Sequence, residues 1–154
     1  VLTDGKLYLS DSGEEIKAFN TLDGHGLKML HASGVELAII TGRKSRLVEL
    51  RAANLGISLL FQGVSDKLTA FRELLGQLGL QTEQAAFMGD DLVDLPPMRR
   101  AGLAIAVPAA PELVKQHSHY ITERNGGEGA VREVCELIMR AQGSFDAQVA
   151  RYLE

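Results

Sequence analysis

Residues 38–43 read Ala-Ile-Ile-Thr-Gly-Arg, a short apolar run that ends at a hydroxyl, a glycine and a guanidinium. An uninterrupted apolar run is typical of a strand that is buried on both faces, as in parallel sheets. We therefore predict a strand over residues 36–40. Other β-rich runs alternate with helical patterns, and they predict strands over 58–61, 85–88, 103–107 and 119–122. This alternation predicts an α/β fold, a three-layer arrangement in which helices cover both faces of a parallel sheet.

The predicted helices are marked by apolar residues at helical spacing and by glycine at their ends. The clearest helix stops at Gly79, and its apolar stripe consists of Leu68, Phe71, Leu74, Leu75 and Leu78. Capping and turn residues predict four more helices, over 23–33, 45–54, 111–117 and 129–142. A short helix accommodates Pro96 and Pro97 in its first turn, where a missing N–H costs least.

Two segments lie outside this alternation. Extended residues 6–9 and 15–19 flank the turn Asp11-Ser12-Gly13, so we predict a β-hairpin over 6–19. Residues 144–154 are predicted to form a polar tail. No linker or repeat is visible anywhere in the sequence, and 154 residues fit one domain with a single core.

The composition argues against several classes of protein. The charged fraction of 23% is that of an ordinary globular chain, and the net charge of −4 argues against a nucleic-acid partner. No apolar run approaches the roughly 18 residues that a membrane-spanning helix needs. No export signal is visible, so we expect a cytoplasmic location. The single cysteine, Cys135, excludes an internal disulfide and is predicted to be a buried structural thiol.

Ligands of parallel α/β sheets bind beyond the carboxyl ends of the strands, and two strand ends carry anion-binding groups. After the first strand described above, the Thr41 hydroxyl, the Gly42 backbone N–H and the Arg43 guanidinium could each contact a phosphate or carboxylate. Lys67 is the first residue of the helix with the apolar stripe. The positive end of the helix dipole disfavours a cation there unless an anion lies beside it. Each feature has a plainer interpretation: a turn with a surface arginine, and a solvated lysine balanced by Asp66.

The predicted strand over 85–88 is followed by an acidic cluster, Asp90, Asp91 and Asp94. Three neighbouring carboxylates repel one another, and a hard cation such as Mg²⁺ would relieve that repulsion. The alternative is that these acids cap the following helix and interact with its dipole. A hydroxyl, a lysine and an acidic cluster on successive strand ends match the general plan of phosphoryl transfer, in which positioning and charge neutralisation dominate.

In their order and spacing, these residues resemble the motifs of the haloacid dehalogenase superfamily. Thr41 matches its second motif, Lys67 its third, and Gly89-Asp90-Asp91 with Asp94 its fourth. The chain is most similar to one family, the 3-deoxy-D-manno-octulosonate 8-phosphate phosphatases. The stretches that carry this closer resemblance are residues 1–5, 19–20, 23–26, 39–43, 89–92 and 126–135.

The resemblance implies a magnesium-dependent phosphatase that cleaves a sugar phosphate to an eight-carbon sugar acid and phosphate, in the synthesis of lipopolysaccharide precursors. It assigns the metal to Asp90, catalysis to Thr41, Lys67 and Asp91, and an orienting role to Asp94. The residues that it assigns to substrate binding are Asn20, Gly42, Arg43 and Arg51.

The resemblance also implies an assembly and a fold. The family has a Rossmann-like core without a separate cap domain, and the 6–19 hairpin matches the small flap that replaces the cap. The implied assembly is a homotetramer in which the flaps pack together. Arg51 matches an arginine that reaches the active site of a neighbouring subunit.

One superfamily motif has no match in these residues. The motif Asp-x-Asp-Gly, which supplies the nucleophile and the general acid/base, would stand immediately before Val1, on the first core strand of the sheet. Asp4 and Asp11 are poor substitutes, so we expect the 154 residues alone to be inactive. Two other functions stay open: a non-catalytic tetramerisation domain of a sugar-nucleotide synthetase, and a phosphatase for a nine-carbon sugar acid phosphate.

Overall fold

The structure, a computed structural model, describes all residues from 1 to 154. Its strands are β1 (Tyr8–Leu9), β2 (Glu15–Ile16), β3 (Ala38–Ile40), β4 (Leu59–Phe61), β5 (Ala86–Gly89), β6 (Leu103–Ala106) and β7 (Tyr120–Ile121). Its helices are α1 (Thr21–Ala32), α2 (Arg46–Leu55), α3 (Lys67–Leu78), α4 (Leu95–Met98), α5 (Glu112–Gln116), α6 (Ala130–Ala141) and α7 (Phe145–Ala150). Two 3₁₀ turns, Thr82–Gln84 and Leu92–Asp94, had no sequence prediction. Every predicted helix and strand is present, although many of the predicted ends differ by a few residues.

The strands form three small sheets. β1 and β2 pair antiparallel as the predicted hairpin. β3 and β4 pair in parallel, with Ile39 opposite Leu60, and β5, β6 and β7 form a second parallel sheet in that order, with Met88 opposite Ile105. The predicted parallel α/β architecture is therefore confirmed. β3 and β5 belong to different sheets and share no hydrogen bonds.

Helices pack on both faces of the parallel strands, because successive side chains of a strand point to opposite faces. On one face, Ile40 and Phe87 pack against Phe71 of α3. On the other face, Met88 packs against the apolar cluster shared by α1 and α6, and Ile39 packs against α2. The three predicted layers are thus present.

Helices α1 and α6 approach each other closely at a glycine. A Cβ atom on Gly26 would lie 2.8 Å from Cδ of Arg132 and 3.1 Å from its Cα. Beside this contact, the buried Asp23 accepts a hydrogen bond from the backbone N–H of Arg132 at 2.8 Å. Burial raises the pKa of Asp23, and the backbone N–H groups at the start of α6 partly offset that rise. A side chain of α1 therefore caps the open end of α6.

The segment predicted as a polar tail, 144–154, begins with α7. Phe145 and Val149 are four residues apart on this helix and pack against the cluster that contains Met139. The Arg140 guanidinium lies 3.6 Å from the centre of the Phe145 ring. The start of the tail is therefore part of the packed structure.

Two further sequence expectations concern burial. Cys135 is buried in the contact between α1 and α6, and that burial raises the pKa of its thiol to about 12. This agrees with the predicted structural thiol. None of the helices is long and apolar enough to cross a membrane.

We expect Gly26→Ala to destabilise the fold and Gly76→Ala to stabilise it. Gly26 has no room for a methyl group between α1 and α6, and overpacking of this kind costs about 1–3 kcal/mol. Gly76 also lies inside a helix, but a Cβ there meets nothing within 4 Å. Alanine at that position should gain about 0.5–1 kcal/mol. Chemical denaturation of both variants measures the difference, and equal midpoints would contradict the close helix contact.

Candidate active site

The gap between β3 and β5 forms a cavity of about 720 Å³. Its walls are mostly apolar, with Ile39 and Ile40 contributed by β3 and with Phe87 and Met88 contributed by β5. Several polar residues that the sequence placed at strand ends line the same cavity; they are Thr41, Arg43, Lys67, Asp90 and Asp94. The structure therefore brings together the hydroxyl, the lysine and part of the acidic cluster.

Lys67 and Asp94 form a nearly buried salt bridge, with Nζ 2.5 Å from Oδ1. The other Asp94 oxygen accepts hydrogen bonds from the backbone N–H groups of Asp90 and Asp91, at 3.0 Å and 3.1 Å. Gly89 makes this turn possible, because a Cβ on residue 89 would collide with the Asp94 side chain. The Asp94 carboxylate thus fixes both the lysine ammonium and the turn that follows β5.

Of the two acids of the cluster that line the cavity, Asp94 uses both oxygens and Asp90 has one left to bind a cation. Its Oδ2 lies 2.8 Å from the amino-terminal nitrogen of Val1. Burial alone would raise the pKa of Asp90, but the charges of that ammonium and of Lys67 outweigh it, so the pKa is lowered. Of the side chains, Lys67 favours the ionised form of Asp90 by its positive charge.

The predicted three-carboxylate cluster does not converge on one point. Asp91 is exposed, and its carboxylate accepts from the backbone N–H of Leu92 at 2.7 Å. No group of three His, Cys, Asp or Glu side chains in the structure is placed to hold a metal ion. Mg²⁺ is commonly bound by one or two protein carboxylates together with substrate phosphate. Asp90 fits such a site as one ligand, whereas Asp91 and Asp94 act here as caps of the turn.

The segment after β3 presents donors to the cavity. The Thr41 backbone N–H donates to the Phe61 carbonyl at 2.9 Å, which extends the pairing of β3 with β4. The Thr41 hydroxyl oxygen accepts from the Arg43 backbone N–H at 3.3 Å, so its own proton is free to be donated. Val64 of the loop after β4 lies beside this segment, and its backbone N–H donates to the Thr41 carbonyl at 3.1 Å.

Asn20 and Arg51, predicted to bind substrate, lie outside the cavity lining and contact each other. The Asn20 side chain caps α1 by accepting from the Leu22 backbone N–H at 2.8 Å. The Asn20 carbonyl accepts from the Arg51 guanidinium at 3.3 Å, and the same guanidinium lies 5.8 Å from the Phe19 ring centre. In this chain Arg51 therefore supports the start of α1, and its role at a neighbouring subunit stays a prediction.

The sequence analysis missed two charged residues of the hairpin. The side chain of Lys17 lines the cavity and is only 10% exposed. Glu15 pairs with both Lys17 and Arg43. The alternation of Glu15, Ile16 and Lys17 carried a signal, since residues two apart in a strand share a face.

Comparisons with known proteins agree with this geometry. A family model described as haloacid dehalogenase-like hydrolase matches residues 57–134. The 3-deoxy-D-manno-octulosonate 8-phosphate phosphatase of Yersinia pestis is 51% identical over 146 residues, which are 95% of this chain and 78% of that protein. The chain belongs to the 3-deoxy-D-manno-octulosonate 8-phosphate phosphatase family of haloacid dehalogenase-like hydrolases.

Solved structures of this family have the same fold. A probable phosphatase of the YrbI family from Pseudomonas syringae is 58% identical, with a TM-score of 0.98 over 100% of this chain and 88% of that one. The phosphatase of Moraxella catarrhalis, solved with magnesium, phosphate and the sugar acid, is 50% identical, with a TM-score of 0.97 over 99% of this chain and 87% of that one. The family resemblance inferred from the motifs is thus confirmed.

We expect Asp94→Asn to destabilise the phosphatase far more than Asp91→Asn. The first change leaves the nearly buried Lys67 without its counter-charge, and loss of one partner of a buried pair costs about 3–5 kcal/mol. The second change keeps an exposed side chain that can still cap the turn, so its cost should stay below about 1 kcal/mol. Urea denaturation measures the free energy of unfolding of both variants. Similar losses for the two variants would contradict the structural importance of the Lys67 pair.

Proposed function

We propose that this protein hydrolyses 3-deoxy-D-manno-octulosonate 8-phosphate to the free sugar acid and phosphate, with Mg²⁺ as cofactor. The observation that carries the proposal is the convergence of Thr41, Lys67 and Asp90 on one cavity, in a chain half identical to phosphatases of that name. The reaction would belong to the synthesis of lipopolysaccharide precursors in the cytoplasm.

Each polar side chain of the cavity would have a separate role at the phosphoryl group. Asp90 would hold Mg²⁺, which supplies charge that shields the phosphate oxygens when it is bound. The Lys67 ammonium, held in place by Asp94, would contact a transferring oxygen. The Thr41 hydroxyl would donate to another oxygen. Asp91, at the exposed side of the turn, would help to orient water.

The chemistry also needs a nucleophile that these residues do not supply. In the family, one aspartate of the Asp-x-Asp pair attacks phosphorus while the second protonates the leaving sugar oxygen, and water then cleaves the acyl-phosphate. Asp94 does not supply it, because its carboxylate pairs with Lys67. We therefore propose that the 154 residues alone do not turn over.

The gap between β3 and β5 supports a position for that aspartate pair. Apolar residues of β3 and β5 line the two sides of that gap, as the neighbours of an additional core strand would. Such a strand would pair with both β3 and β5 and would end beside Thr41 and Asp90.

In a protein that carries the aspartate pair, Asp90→Ala should abolish Mg²⁺-dependent phosphate release, because the retained metal ligand is lost. Asp146→Ala removes an exposed carboxylate of α7 and should leave release unchanged. Colorimetric phosphate detection measures both variants on eight-carbon and nine-carbon sugar acid phosphates. Unchanged release by Asp90→Ala would refute the metal assignment. A higher kcat/KM on the nine-carbon substrate would overturn the proposed substrate.

The hairpin supports the proposal of a homotetramer. The hairpin exposes apolar side chains that a monomer would leave in water; they are Leu7, Leu9 and Ile16. Leu9 is 65% exposed and Ile16 is 64% exposed. An exposed apolar patch of this kind is typical of an interaction site, and flap-to-flap packing would cover it.

We expect Leu9→Lys combined with Ile16→Lys to lower the mass of the assembly in solution. Charges on the hairpin would be buried without partners if the flaps pack together. Leu113→Lys places one such charge on an exposed leucine of α5, away from the hairpin, and should leave the mass unchanged. Light scattering after size-exclusion chromatography reports the mass. A tetramer that survives the double change would contradict assembly through the hairpin.

A further inference from the structure

Lys17 is unusual among the lysines of the hairpin because its side chain is only 10% exposed. Lys6 of the same hairpin is 72% exposed. A lysine is rarely buried unless a partner compensates its charge. Along this strand, Glu15 and Lys17 share the inner face, while Ile16 points outward and is exposed. The hairpin thus directs one buried cation into the cavity beside the candidate active site.

A single carboxylate pairs with two cations on this side of the cavity. Glu15 Oε1 lies 2.9 Å from the Lys17 ammonium and 3.2 Å from the Arg43 guanidinium. The hydrogen bond from Lys17, with a smaller contribution from Arg43, holds the pKa of Glu15 below its ordinary value. The carboxylate is therefore ionised at neutral pH, and the cluster of three residues keeps one uncompensated positive charge.

Lys67, on the other side of the cavity, is paired with Asp94. The Asp90 and Glu36 carboxylates also line the cavity. Lys17 and Arg43 line the same cavity as Lys67. An anionic ligand that places its phosphate at Lys67 would meet the surplus positive charge at the hairpin side.

We propose that Lys17 is a substrate-binding residue that, with Arg43, forms a second anion site for the carboxylate of the sugar acid. This inference rests on the proposed function, in which the phosphate lies at Thr41, Lys67 and Asp90. A sugar acid phosphate carries a second anionic group that needs its own counter-charge in the cavity. Glu15 is the positioning residue, since it holds both cations at the cavity wall.

The test compares two probes by calorimetry in the full-length protein with Mg²⁺: 3-deoxy-D-manno-octulosonate and inorganic phosphate. Lys17→Met keeps the apolar stem and removes the charge. We expect it to weaken sugar acid binding at least tenfold, the effect of losing one charge-assisted contact. Phosphate binding should change less than twofold. Lys6→Met, on the exposed side of the same hairpin, should change neither.

Two further variants separate binding from folding. Lys17→Arg keeps the cation and should restore sugar acid binding to within about threefold. Glu15→Gln releases both cations and should weaken sugar acid binding while leaving phosphate binding unchanged. Thermal melting of each variant shows whether it is folded. A merely structural role of Lys17 would weaken both probes together, or would lower the melting temperature without selectivity.

The outcomes distinguish this inference from the proposed function. Sugar acid binding that depends on Lys17 supports the inference, even if no phosphate is released from the sugar phosphate. Sugar acid binding within twofold of wild type in Lys17→Met overturns it, even if the protein is an active phosphatase. Absence of sugar acid binding by the wild-type protein overturns it as well.

Discussion

The salt bridge between Lys67 and Asp94 joins two sheets that share no hydrogen bonds. Lys67 opens α3, which follows β4, and Asp94 lies in the turn that follows β5. The pair therefore fixes the end of one sheet relative to the end of the other. A nearly buried lysine and carboxylate are costly to desolvate. The hydrogen bonds that Asp94 accepts from two backbone N–H groups offset part of that cost. Thr41, Lys67 and Asp90 meet in one cavity because this contact holds the two halves in register.

Charge in the cavity is arranged by elements distant in sequence. Glu15 of the hairpin holds Arg43 of the loop after β3, and Asp94 holds Lys67. Each cation therefore has a carboxylate that positions it before a ligand arrives. Such preorganisation is what phosphoryl transfer requires, because catalysis there depends on placed charges rather than on covalent chemistry by many residues.

The parallel strands and the convergence of Thr41 with Lys67 were predictable, because the carboxyl ends of parallel strands meet at one edge. The orientation of the acidic side chains after β5 was not predictable. Asp90 and Asp91 are neighbours in sequence, yet local capping turns Asp91 away towards Leu92. The burial of Lys17 was signalled only by its alternation with Ile16, and a lysine beside an exposed isoleucine in a short strand is also typical of a solvated hairpin. Its partner Glu15 also accepts from Arg43 of the loop after β3, and that contact joins residues 28 positions apart.

The helices on the two faces span the gap between β3 and β5. Ile40 of β3 and Phe87 of β5 pack against the same helix, at Phe71 of α3. On the other face, Leu37, which precedes β3, and Met88 of β5 both pack against the cluster that contains Met29 of α1. The two parallel sheets share no hydrogen bonds, so this packing adds to the Lys67 pair in holding the ends of β3 and β5 together. Thr41 and Asp90 can therefore line one cavity although they follow strands of different sheets.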